Sequence, residues 1–143
     1  MVHTEKLTFV TEGDFYALNI TDQVRDVLKA SGITEGSVLV YYQHTTGVIM
    51  VIEHEVGILV DLQDVLEGIV PQAYEYKHHL RGYDFNGAAH VRTALLYVSV
   101  TIRVAGGDLM IGSYHVIILI DMVPLRRPRS VIVYVFFYFE CPD

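Results

Sequence analysis

His44, His78, His79 and His90 are the residues whose chemistry is most readily read from the sequence. Neutral imidazole ligates divalent transition metals and serves as a general acid or base near neutral pH. His78 and His90 bracket a glycine-bounded loop twelve residues apart, and His44 lies on a separate stretch. That spacing matches no compact zinc signature. Taken singly, each histidine is more simply a surface or hydrogen-bonded core group. Seven histidines in a chain of few charges, three of them near Gly, Asp and Asn loop residues, favour a shared polar pocket that draws together His44, His78 and His90.

Asp84 and Asn86 precede Gly87-Ala88, the expected start of a helix. Free backbone N–H groups and the helix dipole favour an anion there, with Arg81 and Arg92 nearby. The same residues fit a second reading without a ligand, in which Asn86 caps the helix and Asp84 tightens the turn. Glu53 and Glu55 flank His54 at a strand end, so alternation sends both carboxylates to one face. Glu53 is a candidate base or metal ligand, and a solvated strand end explains it equally well. His54-Glu55 has no second histidine four positions after the first, and Walker, Rossmann and zinc-deaminase patterns are missing.

Those groups need elements to hold them. Residues 6–10 and 15–20 are β-prone and separated by Glu12-Gly13-Asp14, which predicts an opening hairpin. A helix over 22–30 follows, capped by Thr21 or Asp22 and stopped at Ser31-Gly32. Residues 37–42 and 48–52 read as strands flanking Gln43 to Gly47, which places His44 at a strand end. Ile58, Leu59, Leu62, Val65, Leu66 and Ile69 recur at helical spacing and predict a helix over 57–70. The stretch 72–87 is polar, aromatic and aperiodic, the kind of long loop that carries function.

A short helix is expected over 88–96, and strands over 98–104, 109–111, 116–122 and 131–139. Ala105-Gly106-Gly107-Asp108 is a hairpin turn, and Arg126-Arg127-Pro128-Arg129 reads as a basic turn. The last strand is apolar on both faces, so either both faces are covered or an edge is buried against another chain. These elements give an α+β fold of mainly antiparallel sheet with two or three helices.

Composition sets the bounds. At 143 residues, 52% hydrophobic and 19% charged, the chain is expected to form one domain over 1–143 and disorder is excluded. A formal net charge of −7 opposes non-specific nucleic-acid binding. The single cysteine, Cys141, excludes an intrachain disulfide framework, is a poor nucleophile near the terminus and fits a reducing compartment. No signal peptide or membrane span is expected, and the expected location is cytoplasmic.

Four segments, Gln43-His-Thr-Thr46, Tyr76-Lys-His78, Asp84-Phe-Asn-Gly-Ala-Ala-His-Val-Arg92 and Gly107-Asp-Leu-Met-Ile-Gly-Ser-Tyr-His115, occur in one order. Together they resemble the YjbQ family, linked to secondary thiamine-phosphate synthase activity. The resemblance runs from about Lys6 to Phe139. It implies a YjbQ-like α+β domain, a homotrimer, and a histidine pocket able to hold a divalent metal, zinc or magnesium. His44, His78 and His90 fall on the family's histidine positions and are the implied metal ligands. Glu53 falls on an acidic position and joins the three histidines as a catalytic candidate. Asp84 and Asn86 fall on the polar loop and Arg92 on a basic helix position; with Ser113 they are the implied ligand-binding residues.

The chain departs from the family pattern at Ile52, where an Asn is usual, and at Gly112-Ser113-Tyr114-His115, where Gly-Thr-Trp-Gln is usual. The small-residue step after the histidine-bearing helix is Tyr97-Val98 here. The implied reaction joins a pyrimidine pyrophosphate to a thiazole phosphate and releases pyrophosphate. Two further roles stand beside it. One is another metal-dependent or acid/base enzyme acting on a small phosphorylated metabolite; the other is a non-catalytic trimer that binds metal or ligand.

Overall fold

A computed structural model describes residues 1–138. Phe139 and Cys141, which bear on the expected last strand and the lone thiol, lie outside the described residues. The fold is α+β, built on two antiparallel sheets. The strands are β1 (Val2–Thr11), β2 (Tyr16–Asn19), β3 (Gly36–Tyr42), β4 (Gly47–Glu53), β5 (Ser99–Ala105), β6 (Asp108–Leu109), β7 (His115–Asp121) and β8 (Arg127–Phe137). Three helices, α1 (Thr21–Ser31), α2 (Val56–Ile69) and α3 (Gly87–Leu96), and a short 3-10 turn over Lys77–Arg81 complete the fold. No helix among the described residues is long and apolar enough to cross a membrane.

One sheet has the order β1-β8-β3-β5-β6 and the other β2-β7-β4. The expected opening hairpin does not form: β1 pairs with β8, whereas β2 pairs with β7 in the other sheet. The intervening turn carries Gly13 and Phe15 at positive φ, 87° and 52°, and hands the chain from one sheet to the other. The β5–β6 hairpin does form, with Gly106 and Gly107 both at positive φ as a two-residue turn requires.

The run Val116-Ile-Ile-Leu-Ile120 has no polar face because β7 is the middle strand of its sheet and is covered twice. Ile117 and Leu119 meet α1 and the larger sheet, while Ile118 and Ile120 pack with Ala89 of α3 and Leu66 of α2. In β8, Val131, Val133 and Val135 enter the first core and Ile132, Tyr134 and Phe136 lie half-buried on the other face. Both edges of β8 are paired within the chain, to β1 and β3.

α1 ends on Gly32 in the left-handed conformation, as its sequence predicts, but its start is held by Asn19, whose side chain accepts from the Thr21 N–H. Glu55 caps α2 by accepting from the Gly57 and Ile58 N–H groups at 2.8 and 3.0 Å. Leu59, Leu62 and Leu66 turn inward, and Val65 and Ile69 of the same stripe remain exposed. The basic stretch at 126–129 is only partly a turn. Arg127 and Arg129 belong to β8 and, two residues apart, project to the same side of the sheet.

Candidate functional site

The polar stretch after α2 folds back so that its histidines meet α3. Tyr76 anchors it, donating from its hydroxyl to the Pro71 carbonyl at 2.6 Å, and the 3-10 turn presents His78 and His79. Gly87 begins α3 hard against Tyr76; a Cβ there would sit 2.6 Å from the tyrosine Cβ, so only glycine permits the approach. The Gly87 N–H donates to His79 Nε2 at 3.1 Å. This contact occupies one donor of the helix start proposed to receive an anion.

Asn86 makes no side-chain cap on α3; its Oδ1 lies 3.1 Å from His78 Nε2. His78 and His90 stand ring to ring with centroids 4.7 Å apart. Asp84 Oδ1 lies 3.2 Å from His78 Nε2, outside hydrogen-bond geometry, and is buried without a hydrogen-bond partner. One ligand atom from each of His78, Asp84 and His90 falls within 4.8 Å of the others. Converging ligand atoms, among them a buried carboxylate oxygen that accepts no hydrogen bond and has the His78 imidazole beside it, fit a metal ion, because a cation would satisfy that oxygen. Burial and the neighbouring His78 push the His90 imidazole below its ordinary value, which favours the neutral, ligating form.

His44 is placed differently. Its Nε2 accepts from the Ser130 N–H at 3.0 Å and its Nδ1 faces Arg129 Nη1 at 3.1 Å, so both ring nitrogens are engaged. Burial and the Arg129 charge hold it below its ordinary value. Asp84, read from sequence as a ligand-loop residue, therefore takes the place of His44 in the cluster with His78 and His90. His44 instead borders a cleft of about 330 Å³ together with Thr46, Asp84, Asn86, His90, Arg127 and Arg129.

The arginines of this cleft escape a reading by local motif. Arg129, 5% exposed, makes a two-pronged pair with Asp121, Nε to Oδ2 at 2.7 Å and Nη2 to Oδ1 at 3.1 Å. Its Nη2 also donates to Thr46 Oγ1 at 3.0 Å. Arg127 Nη2 donates to the same hydroxyl at 3.1 Å, and its Nε is buried without a partner. Arg127 and Arg129 thus bring two guanidinium groups to the cleft, matched in formal charge by Asp121 behind them and Asp84 on the cleft wall. The available signal was the i, i+2 spacing of Arg127 and Arg129, which puts both on one side of a strand.

The remaining expected site residues lie elsewhere. Arg92 is buried and turned from the cleft, donating to the Val70 carbonyl from Nε and Nη2 at 3.0 and 2.8 Å and to Glu67 at 2.7 Å. It ties α3 to the end of α2, since a fully buried guanidinium must find all its partners inside the fold. Glu53 is exposed at the far end of β4, opposite His115 and six residues beyond Gly47, about 20 Å from the cleft by strand rise. Ser113 is exposed in the turn before β7, near that same far end. Arg81 stacks over the Tyr83 ring at 4.6 Å.

Fold and site together define a class, a two-sheet α+β protein in which a histidine–carboxylate cluster opens on an arginine-lined cleft. The sequence model described as UPF0047 protein YjbQ-like matches residues 5–137, and the chain belongs to this family. It is 33% identical to a UPF0047 protein of Methanothermobacter thermautotrophicus over 90% of this chain and 88% of that protein. Identity to a UPF0047 protein of Archaeoglobus fulgidus is also 33%, covering 89% and 97% of the two chains. Among solved structures, a YbjQ-like protein of unknown function from Sulfolobus solfataricus P2 superposes with a TM-score of 0.90 at 27% identity, covering 96% and 99% of the two chains. A hypothetical protein from Aeropyrum pernix K1 gives 0.86 at 28% identity, covering 94% and 98%.

Proposed function

We propose that this protein is a metal-dependent enzyme acting on a small phosphorylated metabolite, with a divalent ion held by His78, Asp84 and His90. The observation that carries this reading is the convergence of their ligand atoms within 4.8 Å. Two imidazoles and one carboxylate suit zinc better than magnesium, which prefers oxygen ligands. A bound ion there supplies Lewis-acid stabilisation of charge on a phosphate oxygen. The chain's own groups bind and orient the anion: Arg127, half-buried on the cleft wall, offers its guanidinium, and Arg129 is a fixed positive charge aimed by Asp121. His44 acts as a positioning residue between Arg129 and Ser130.

Within this class, the reaction is the joining of a pyrimidine pyrophosphate to a thiazole phosphate. Departure of pyrophosphate builds negative charge, and the pre-placed guanidinium groups of Arg127 and Arg129 lower its cost. The protein acts as a homotrimer in this reading, supported by apolar groups left in solvent on α2, Val60, Val65 and Ile69 among them. Light scattering is expected to return three times the chain mass; a monomer overturns the assembly.

The test is zinc titration followed by turnover. Zinc is expected to bind calorimetrically, and zinc-loaded protein to release pyrophosphate and thiamine phosphate from the two precursors. His90→Ala is expected to stay folded and to lose about 100-fold or more in rate. Unchanged turnover in that folded variant removes His90 from the mechanism. Turnover confined to another phosphorylated metabolite in a screen keeps the class and replaces the substrate. If chelation splits the trimer and no substrate is ever turned over, the histidines have a structural role and the enzyme reading falls.

A further inference from the structure

α3 ends on Tyr97, whose φ of 75° and ψ of 166° belong to a region that only glycine visits freely. The conformation is imposed from both sides. The Tyr97 N–H closes the helix on the Thr93 carbonyl at 2.8 Å, and the next carbonyl, of Val98, accepts from the Tyr42 N–H at 2.8 Å. Core packing of the side chain does not repay the strain, for Tyr97 is 64% exposed. Tyr97 instead borders a cavity of about 520 Å³, with Tyr41, Ala94 and Val98. This cavity and the arginine-lined cleft share Gln43, His44, Thr45 and His90, so the two lobes adjoin along one wall. One lobe carries the two arginines and adjoins the histidine–carboxylate cluster; the other is largely apolar and carries two tyrosines.

We propose that the larger lobe is the subsite for a planar aromatic ring of the phosphorylated substrate, and that Tyr97 is its specificity-determining residue. This deepens the metal–phosphate reading above and rests on it for the anionic end of the ligand. A guest anchored by its phosphate at Arg127 reaches past His44 and His90 into the lobe lined by Tyr97 and Tyr41. Aromatic stacking favours a planar ring over a saturated one of equal size. A backbone held in strain at the lobe's border fixes where the tyrosine ring begins, which is the kind of constraint that selects shape rather than bulk.

The test uses phenyl phosphate, cyclohexyl phosphate and inorganic phosphate, titrated calorimetrically into the zinc-loaded protein. Phenyl phosphate is expected to bind about tenfold more tightly than inorganic phosphate, with cyclohexyl phosphate between them. Tyr97→Gly is expected to bring phenyl phosphate to within about twofold of cyclohexyl phosphate, to leave inorganic phosphate unchanged, and to raise Tm by about 3 °C as strain is released. Tyr97→Phe retains the preference. A phenyl preference that survives in Tyr97→Gly, or one missing from the parent protein, overturns the inference while leaving the anion cleft intact. A fall in Tm for Tyr97→Gly with loss of all three ligands marks a structural residue and overturns it too. If inorganic phosphate fails to bind the parent protein, the anion reading fails, and phenol then probes the ring lobe alone by saturation-transfer NMR. A phenol signal that disappears in Tyr97→Gly supports the subsite, and no signal in the parent overturns it.

Discussion

Arg129 and Asp121 form an ion pair in which the carboxylate is fully buried and the guanidinium 5% exposed, joined by two hydrogen bonds. Such a pair gains little over apolar residues of equal volume, because desolvation offsets most of the attraction. Its use here is directional. Asp121 takes Nε and one face of Nη2, and this fixes the other guanidinium edge on Thr46 and His44 at the cleft. Thr11 adds a hydroxyl donor to the same carboxylate, so β1, β7 and β8 are tied at one point.

Removing the carboxylate leaves a buried cation without its partner. Asp121→Asn is expected to destabilise the fold by about 3–5 kcal/mol. Chemical denaturation checks this against Arg126→Ala, whose ion pair with Glu12 is exposed and whose loss costs under about 1 kcal/mol. Equal effects from the two substitutions would show that Asp121 does not hold a desolvated charge.

The metal cluster makes a separate prediction. His78→Ala, Asp84→Asn and His90→Ala are each expected to weaken zinc binding by about 100-fold or more, since each removes one of three donors. His44→Gln, which removes a ring already engaged by Ser130 and Arg129, is expected to weaken it by less than about tenfold. Calorimetric zinc titration ranks the four. His44→Gln losing as much as His90→Ala would put His44 back among the ligands.

The contrast between His44 and Asp84 shows how far sequence reaches. Helices α1, α2 and α3 and most strands are legible, because burial of one face writes its period into the apolar residues. The gathering of His78 and His90 is legible too, since both border one glycine-rich loop. Which sheet each opening strand joins is not: residues 2–11 and 16–19 are equally good partners for each other and for β8 and β7. Arg92 and Arg129 are indistinguishable as types, yet Arg92 braces two helices and Arg129 faces the cleft. Long-range pairing decides both cases, and no local pattern encodes it.

Stability is expected to fall on acidification through a window set by imidazoles. His44 and His90 both sit below the ordinary histidine value of 6.5, through burial first and then Arg129 for His44 and His78 for His90. Asp121 opposes the shift at His44 and Asp84 at His90, while Lys6 and Arg81 reinforce it. The unfolded chain therefore binds protons more readily as pH drops below 6.5, and the folded state loses stability there. Metal-free protein followed by thermal melts from pH 7 to pH 5 should show Tm falling. His44→Gln and His90→Gln should each flatten that slope. Glu55, held below its ordinary value by the Gly57 and Ile58 N–H groups, acts in the same direction only at lower pH, where carboxylates titrate. A flat Tm between pH 7 and pH 5 would show that neither imidazole is held neutral by the fold.

Arg92 separates bracing from binding. It is 1% exposed, with its hydrogen bonds directed to the Val70 carbonyl and to Glu67, whose carboxylate also accepts from the Gln72 N–H. The same few atoms thus set where α2 stops and where the histidine-bearing loop begins. Arg92→Lys keeps the charge but cannot reproduce the forked donors, and a loss of about 2–4 kcal/mol in denaturation is expected. Because the guanidinium points away from the cleft, phosphate affinity of the folded variant should stay within about twofold of the parent, whereas Arg127→Lys should weaken it by about tenfold with little change in stability. A variant pair with those two effects exchanged would return Arg92 to the ligand and assign the bracing role to Arg127.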